Sequence, residues 1–87
     1  MDIIDLWFKL STEARRLGAK LGRIYDKNGT FRFALNDLTN LGSLRAILFI
    51  MYELESREFG VVSGGADNTQ FVLNRAKFDT LLSAEAI

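Results

Sequence analysis

Residues 23–35 have the sequence RIYDKNGTFRFAL, and this stretch decides the fold that we predict from the sequence. Asn28-Gly29 is the dipeptide most typical of a type I′ turn, in which both central residues need a positive φ angle. On either side of it, apolar and polar residues alternate with the period of a β-strand. We therefore predict a β-hairpin over this stretch. Its inner face would carry Ile24, Phe31, Phe33 and Leu35.

The outer face of the predicted hairpin is basic, and more basic residues precede it. A two-stranded ribbon can enter a nucleic-acid groove, and an aromatic ring among cations can stack on a base. The first 35 residues contain seven basic and four acidic side chains, a net charge of +3 in a chain whose formal net charge is zero. The candidate nucleic-acid surface consists of Arg15, Arg16, Lys20, Arg23, Tyr25, Lys27 and Arg32.

The segment before the hairpin predicts an amphipathic helix over residues 2–21. Its apolar residues recur at alternating steps of four and three, the spacing of one helix face. These residues are Ile3, Trp7, Leu10, Ala14, Leu17 and Leu21. A break near Ser11, which would give two short helices, is the alternative that this pattern leaves open.

A central helix is predicted over residues 37–57. Asn36 or Thr39 could cap it, because short polar side chains accept hydrogen bonds from the free N–H groups of a first turn. Gly42 makes that first turn irregular, so Ser43 is the alternative start. The apolar side of this helix predicts burial, and the helix is apolar over most of its circumference.

The polar side of the central helix carries Phe49 at its middle. A large apolar group on a stripe that should be solvated indicates an interface, and aromatic residues with arginine are enriched among interface hot spots. The alternative is that the N-terminal helix covers Phe49 within the chain, with Trp7 and Phe8 packed against it. The candidate protein interface consists of Arg45, Phe49, Tyr52 and Glu53.

The C-terminal third predicts a second strand pair over residues 59–63 and 69–73, joined by the glycine-containing turn 64–68. Asn74 is the predicted cap of a final short helix, which contains apolar residues at helical spacing. The whole pattern predicts a single α+β domain over residues 1–87. Its element order is α-β-β-α-β-β-α, with antiparallel hairpins packed against helices.

A winged helix is not predicted, because no short helix-turn-helix pair is evident before the last two strands. We recognise no motif of a known nucleic-acid-binding or catalytic family.

The composition excludes several kinds of chemistry. The chain has no histidine and no cysteine, which are the side chains most used for proton shuttling near neutral pH, thiol nucleophilicity and transition-metal ligation. Glu55 and Glu58 look like the solvated end of a helix rather than a catalytic pair. We therefore expect no enzyme, no metal and no cofactor. The longest apolar run, residues 46–52, is too short to span a membrane.

These observations favour a soluble, non-enzymatic protein-binding module that occupies a surface of a partner protein, with a homodimer as one form of such pairing. Small inhibitors or accessory proteins from phages and mobile elements are objects of this kind. The lack of cysteine suits the cytoplasm, which would be the host cytoplasm for a viral protein. The alternative function is nucleic-acid binding through the basic face of the first hairpin.

Overall fold

The computed structural model describes residues 2–65 and 67–87. In these ranges the α-helices are Ile3–Phe8 (α1), Thr12–Asn28 (α2), Leu44–Ser56 (α3) and Arg75–Ser83 (α4), and Leu35–Leu41 form a 3₁₀ helix. The strands are Arg32–Ala34 (β1), Gly60–Ser63 (β2) and Gln70–Leu73 (β3). They form an antiparallel sheet in the order β1-β3-β2. The described part of the chain is therefore a mixed α+β fold, but its element order differs from the predicted one.

The N-terminal segment forms two helices instead of the predicted single helix over residues 2–21. The break lies near Ser11, as in the alternative that the sequence left open. That alternative expected two short helices, whereas α2 is long. The Ser11 Oγ atom accepts a hydrogen bond from the Ala14 N–H group at 3.1 Å and so caps α2. The predicted apolar face continues across the break, since Trp7, Leu10 and Leu21 are all buried.

The predicted hairpin over residues 23–35 is wrong, because α2 continues through Asn28. Gly29 ends this helix with a φ angle of 78°, and its N–H group donates to the Tyr25 carbonyl oxygen at 2.8 Å. Asn-Gly suits a left-handed helix end as well as a type I′ turn, because glycine adopts positive φ without strain. The amphipathic pattern of α2, which buries Leu17 and Leu21, outweighs the turn signal.

The predicted central helix is also divided. Residues 35–41 form the 3₁₀ helix, and α3 starts after the turn at Gly42, with the Ser43 Oγ atom accepting from the Ala46 N–H group at 3.2 Å. Ser43 is thus the cap, rather than Asn36 or Thr39.

This short helix, turn and second helix lead directly into the β2–β3 hairpin, whose second strand pairs with β1. The sequence did not predict a helix pair before this hairpin. The pair was missed because its first member is a 3₁₀ helix, whose period of three residues differs from that of the α-helix.

The two strands and the final helix of the C-terminal third form as predicted, although each strand starts one residue later, and residue 66 of the predicted turn lies outside the described residues. Strands β2 and β3 pair in antiparallel register, with Val61 opposite Val72. The Asn74 Oδ1 atom accepts from the Lys77 N–H group at 3.2 Å and caps α4. The inner face of the sheet buries Phe71, and α4 buries Phe78 and Leu81.

Trp7 joins three parts of the chain at the centre of the core. Its indole lies edge-on to the rings of Phe59 and Phe78, with ring centroids 5.6 and 6.2 Å apart. Phe59 and Phe78 also pack edge-on to each other at 6.2 Å. Edge-to-face contacts of this kind add to the stabilisation from burial. This cluster holds α1, the start of the β2–β3 hairpin and α4 together.

Candidate functional site

Helix α3 carries three of the six large apolar side chains that are exposed in the described part of the chain. The helix buries Ile47, Met51 and Leu54, so the residues on its opposite side must face water. Phe49 lies at the middle of that side and is 75% exposed, and Tyr52 is 52% exposed. Arg45 is exposed one turn before Phe49. We name these three residues, together with Ala46 and Glu53, the α3 face.

The expectation that the N-terminal helix covers Phe49 is wrong. Trp7 lies in the core against Phe59 and Phe78, as described above. Phe8 is itself 57% exposed, and the Arg15 guanidinium lies over its ring, 5.6 Å from the centroid. The one buried aromatic ring of α1 therefore packs in the core, and α1 leaves Phe49 uncovered.

Two hydrogen bonds join Glu53 of the α3 face to Ser11 at the start of α2. Its Oε2 atom accepts from the Ser11 N–H group and its Oε1 atom accepts from the Ser11 hydroxyl, both at 2.7 Å. The side chain is half-buried. An ionised carboxylate has about four acceptor positions, so about two remain for further donors. The geometry makes Glu53 a rigid acceptor, since both of its oxygens are already oriented.

A solvent-open groove of about 530 Å³ lies beside Phe49. Ala46 and Ile50 from α3 line it, with Ser11 and Glu13 at the start of α2 on the other side. Its floor is largely apolar because alanine and isoleucine offer no polar atoms. The α3 face therefore combines a protruding ring with an adjacent depression, a shape that a complementary protein surface can fill.

The basic residues of the candidate nucleic-acid surface do not form a hairpin face. Four of them lie on α2 at steps of four, three and four, opposite its buried side, and all four are exposed. They are Arg16, Lys20, Arg23 and Lys27. We name these four residues the α2 basic stripe. It spans about 16 Å along the helix, given a rise of 1.5 Å per residue.

The other three residues of that candidate surface lie elsewhere. The Tyr25 hydroxyl donates to the Asp79 Oδ1 atom at 2.8 Å, and this hydrogen bond raises the pKa of Tyr25 above its ordinary value. Arg32 lies on β1, with its guanidinium 5.4 Å from the centroid of the Phe31 ring. Arg15 lies over Phe8, as described above. Tyr25 is therefore engaged within the chain instead of lying among the cations.

Glu55 has a role that the sequence did not predict. Its Oε2 atom accepts a hydrogen bond from the Val62 N–H group at 2.7 Å. Strand β2 is an edge strand, and this bond satisfies a backbone group that β3 does not pair. No sequence signal could have indicated this hydrogen bond. Val62 lies beyond the end of α3, and its distance from Glu55 depends on the turn between the helix and β2.

Comparison of the chain with protein-family models, curated proteins and solved structures finds no match. Within residues 2–65 and 67–87, no group of three or more acidic side chains has an arrangement that could hold a metal ion. None of the helices described in those ranges is long and apolar enough to cross a membrane. The exposed surfaces described above are therefore the basis for assigning a function.

Proposed function

We propose that this chain is a non-enzymatic protein-binding module that recognises its partner through the α3 face. The observation that carries the proposal is the exposure of Phe49, which is three-quarters solvated at the centre of a helix face. An exposed ring of this size has no role in the core, and aromatic residues beside arginine are typical anchors of protein interfaces. Function would then consist of occupying a partner's surface.

The position of α3 supports this proposal over nucleic-acid recognition by the same helix. In a helix-turn-helix protein that binds DNA, the second helix of the pair enters the major groove and carries donors to base edges and phosphates. Here that second helix is α3. It carries one basic residue, Arg45, and two acidic residues, Glu53 and Glu55. Such a charge balance is unfavourable against a phosphate backbone and compatible with a protein surface.

An inhibitor or accessory protein of the phage type would have these properties, and we place it in the cytoplasm, or in the host cytoplasm if it is viral. The absence of histidine and cysteine supports a role without turnover. Zero cysteine also suits a reducing compartment.

The test is replacement of Phe49 by alanine in the tagged 87-residue chain. We expect loss of the captured partner, or of self-association, by at least about tenfold, since anchor residues of an interface contribute 2 kcal/mol or more. The free energy of unfolding should change by less than about 0.5 kcal/mol, as for other exposed positions. Capture from native lysate, light scattering and urea denaturation measure these quantities.

Phe8→Ala is the matched control, because Phe8 is also an exposed phenylalanine but lies on α1. It should leave partner capture and self-association unchanged. Equal losses in both variants would contradict the proposal, since they would indicate nonspecific apolar adhesion. A drop in stability of Phe49→Ala without any change in binding would show that the ring serves the fold.

The second candidate function is nucleic-acid binding through the α2 basic stripe. Four exposed cations on one helix face are the observation that favours it, although the formal net charge of zero lacks a general basic bias. If all four contact phosphates, the logarithm of affinity should fall by about three for each tenfold rise in salt. A mobility-shift titration against salt measures this slope.

Charge reversal separates the α2 basic stripe from the hairpin surface that the sequence predicted. Arg23→Glu should abolish binding, whereas Arg32→Glu should have little effect, because Arg32 lies on β1 and not on α2. Absence of any complex with single-stranded or duplex DNA or RNA at low salt would dispose of this candidate. Equal effects of the two variants would restore the set of residues predicted from the sequence.

A further inference from the structure

We propose that a groove between α1, α2 and residues 86–87 binds an acidic peptide segment of a partner protein. An apolar side chain of the segment would enter the groove, and its carboxylates would contact the surrounding cations. The groove shares no lining residue with the groove beside Phe49, so the inference goes beyond the proposed function and does not depend on it. It is carried by charge complementarity, since every charged residue that lines the groove is basic.

The groove is open to solvent, has a volume of about 390 Å³ and lies on the side of α2 that carries Ala19. On a helix surface, the neighbours of a residue are those three and four positions before and after it. Three of these four neighbours of Ala19 are Arg15, Arg16 and Arg23, and all three line the groove together with Lys20. A small side chain is therefore surrounded by long cationic ones, which leaves a depression with a positive rim. We name it the basic groove.

The floor of the basic groove is apolar because the chain turns back onto α2 after α4. The Ala86 N–H group donates to the Leu81 carbonyl oxygen at 2.9 Å, a bond that ends α4 and reverses the chain direction. Gly22 then lets Ile87 lie against α2, since a Cβ atom at position 22 would be 2.5 Å from the Ile87 Cδ1 atom. Ala86 and Ile87 line the groove. An occupant can therefore bury an apolar side chain here while its charged groups reach the rim.

The cations of the rim have no anionic partner within the described ranges 2–65 and 67–87, where none of the four forms an ion pair. Arg16 and Lys20 are four positions apart, and Lys20 and Arg23 are three apart. Like charges at these spacings destabilise a helix, and sequences that break a local rule of this kind often do so at functional sites. An anionic occupant would relieve the repulsion and would accept charge-assisted hydrogen bonds from the guanidinium groups.

The floor of the groove favours an acidic peptide over a nucleic acid. Single-stranded nucleic acids gain affinity by stacking bases on accessible aromatic rings. Here the Trp7 ring is buried, and the exposed Phe8 ring already carries the Arg15 guanidinium. Arg15 and Arg23 are about 12 Å apart along α2, a length that about four residues of an extended peptide span. Arginine also binds carboxylates through two parallel hydrogen bonds.

Fluorescence anisotropy with synthetic peptides tests the chemistry of the occupant. The probe is a labelled peptide of two leucines flanked on each side by two aspartates, titrated with the 87-residue chain at about 0.1 M salt. We expect binding with a Kd on the order of 100 μM, because the contact area is small. No change in anisotropy up to about 1 mM protein would overturn the inference.

Two control peptides separate the contributions of charge and apolar contact. A peptide with asparagine in place of aspartate should not bind, since it offers no carboxylates to the rim. A peptide with serine in place of leucine should bind at least about fivefold more weakly, because it buries less apolar surface. If either control bound as tightly as the probe, the inference would be wrong.

Charge reversal locates the binding site on the protein. Arg23→Glu should weaken binding of the probe by at least about tenfold, because it places a like charge against the carboxylates. Lys27→Glu is the matched control, with the same charge change one turn further along α2 and outside the groove lining. It should change the affinity by less than about threefold, since Lys27 lies about 12 Å along the helix from Ala19 and is screened by salt.

Arg16→Glu repeats this measurement from the other end of the basic groove, so the test does not depend on the folding of one variant. Circular dichroism checks that each variant is folded. Equal weakening by the groove variants and by Lys27→Glu, or no weakening by any of them, would overturn the inference.

The same variants distinguish the acidic peptide from a nucleic acid on the α2 basic stripe. A nucleic acid that follows the stripe contacts Lys27 as well as Arg23, so both reversals would weaken its binding equally. A single-stranded oligonucleotide that displaced the probe, bound more tightly and showed this pattern would overturn the inference. Phe49→Ala should bind the probe like the parent, so its effect on partner capture tests the proposed function alone.

Discussion

Replacement of Trp7 by alanine is expected to lower the free energy of unfolding by about 3–5 kcal/mol, the usual cost of removing a large aromatic side chain from a core. The indole is 2% exposed and contacts the rings of Phe59 and Phe78 edge-on. Its loss removes buried apolar area and leaves a cavity bounded by three separate parts of the chain. Domains of this size are stable by only about 4–13 kcal/mol, so this change removes a large share of the total stability.

Urea denaturation followed by circular dichroism measures this change, with Phe8→Ala as the matched control. Phe8 follows Trp7 directly in the sequence and is 57% exposed, so its truncation should cost less than about 1 kcal/mol. Trp7→Phe, which keeps a ring in the cluster, should fall between the two. If the two alanine variants were equally stable, the placement of Trp7 in the core would be wrong.

Replacement of Gly60 by alanine is expected to destabilise the protein by about 3 kcal/mol, at the upper end of what overpacking costs. A Cβ atom at this position would collide with the Cζ atom of Phe71 and lie 2.7 Å from the Val72 carbonyl oxygen. Phe71 is fully buried, and the Val72 carbonyl belongs to the central strand β3. Neither group can move without disturbing the sheet.

Gly65→Ala is the control for this prediction. A Cβ atom there would have only the Asn68 Oδ1 atom nearby, at the ordinary contact distance of 3.6 Å. The variant should be as stable as the parent or more stable by a few tenths of a kcal/mol, since alanine restricts the unfolded chain. Thermal melting of both variants measures the difference. Similar melting temperatures for the two would show that the β2–β3 pair tolerates a side chain at Gly60.

The C-terminal third of the fold could be predicted from the sequence because its signals are local and do not conflict. Asn74 caps α4 and the strands that precede it alternate around a glycine-containing turn. In the N-terminal half, Asn28-Gly29 fits two local structures, the type I′ turn of a hairpin and the left-handed end of a helix. Only the burial of the apolar face of α2 against the rest of the chain decides between them, and tertiary packing of this kind is not visible in a local pattern.

The candidate site likewise has features that the sequence predicts and features that it does not. The position of Phe49 on a polar stripe follows from helical periodicity alone, and its exposure confirms that placement. The double hydrogen bond from Ser11 to Glu53 joins residues 42 positions apart, which periodicity cannot anticipate. Likewise, the α2 basic stripe emerges only once residues 23–28 are known to be helical, since helix and strand place the same cations on different faces.

The carboxylate of Glu55 on the outer N–H group of β2 has a consequence for how this protein behaves when concentrated. An open strand edge is a template for cross-chain β pairing and fibril growth. Here a strand from another molecule would have to displace Glu55 from Val62 at one edge of the sheet, while the other edge offers only the three residues of β1. Concentrated samples should therefore remain free of amyloid.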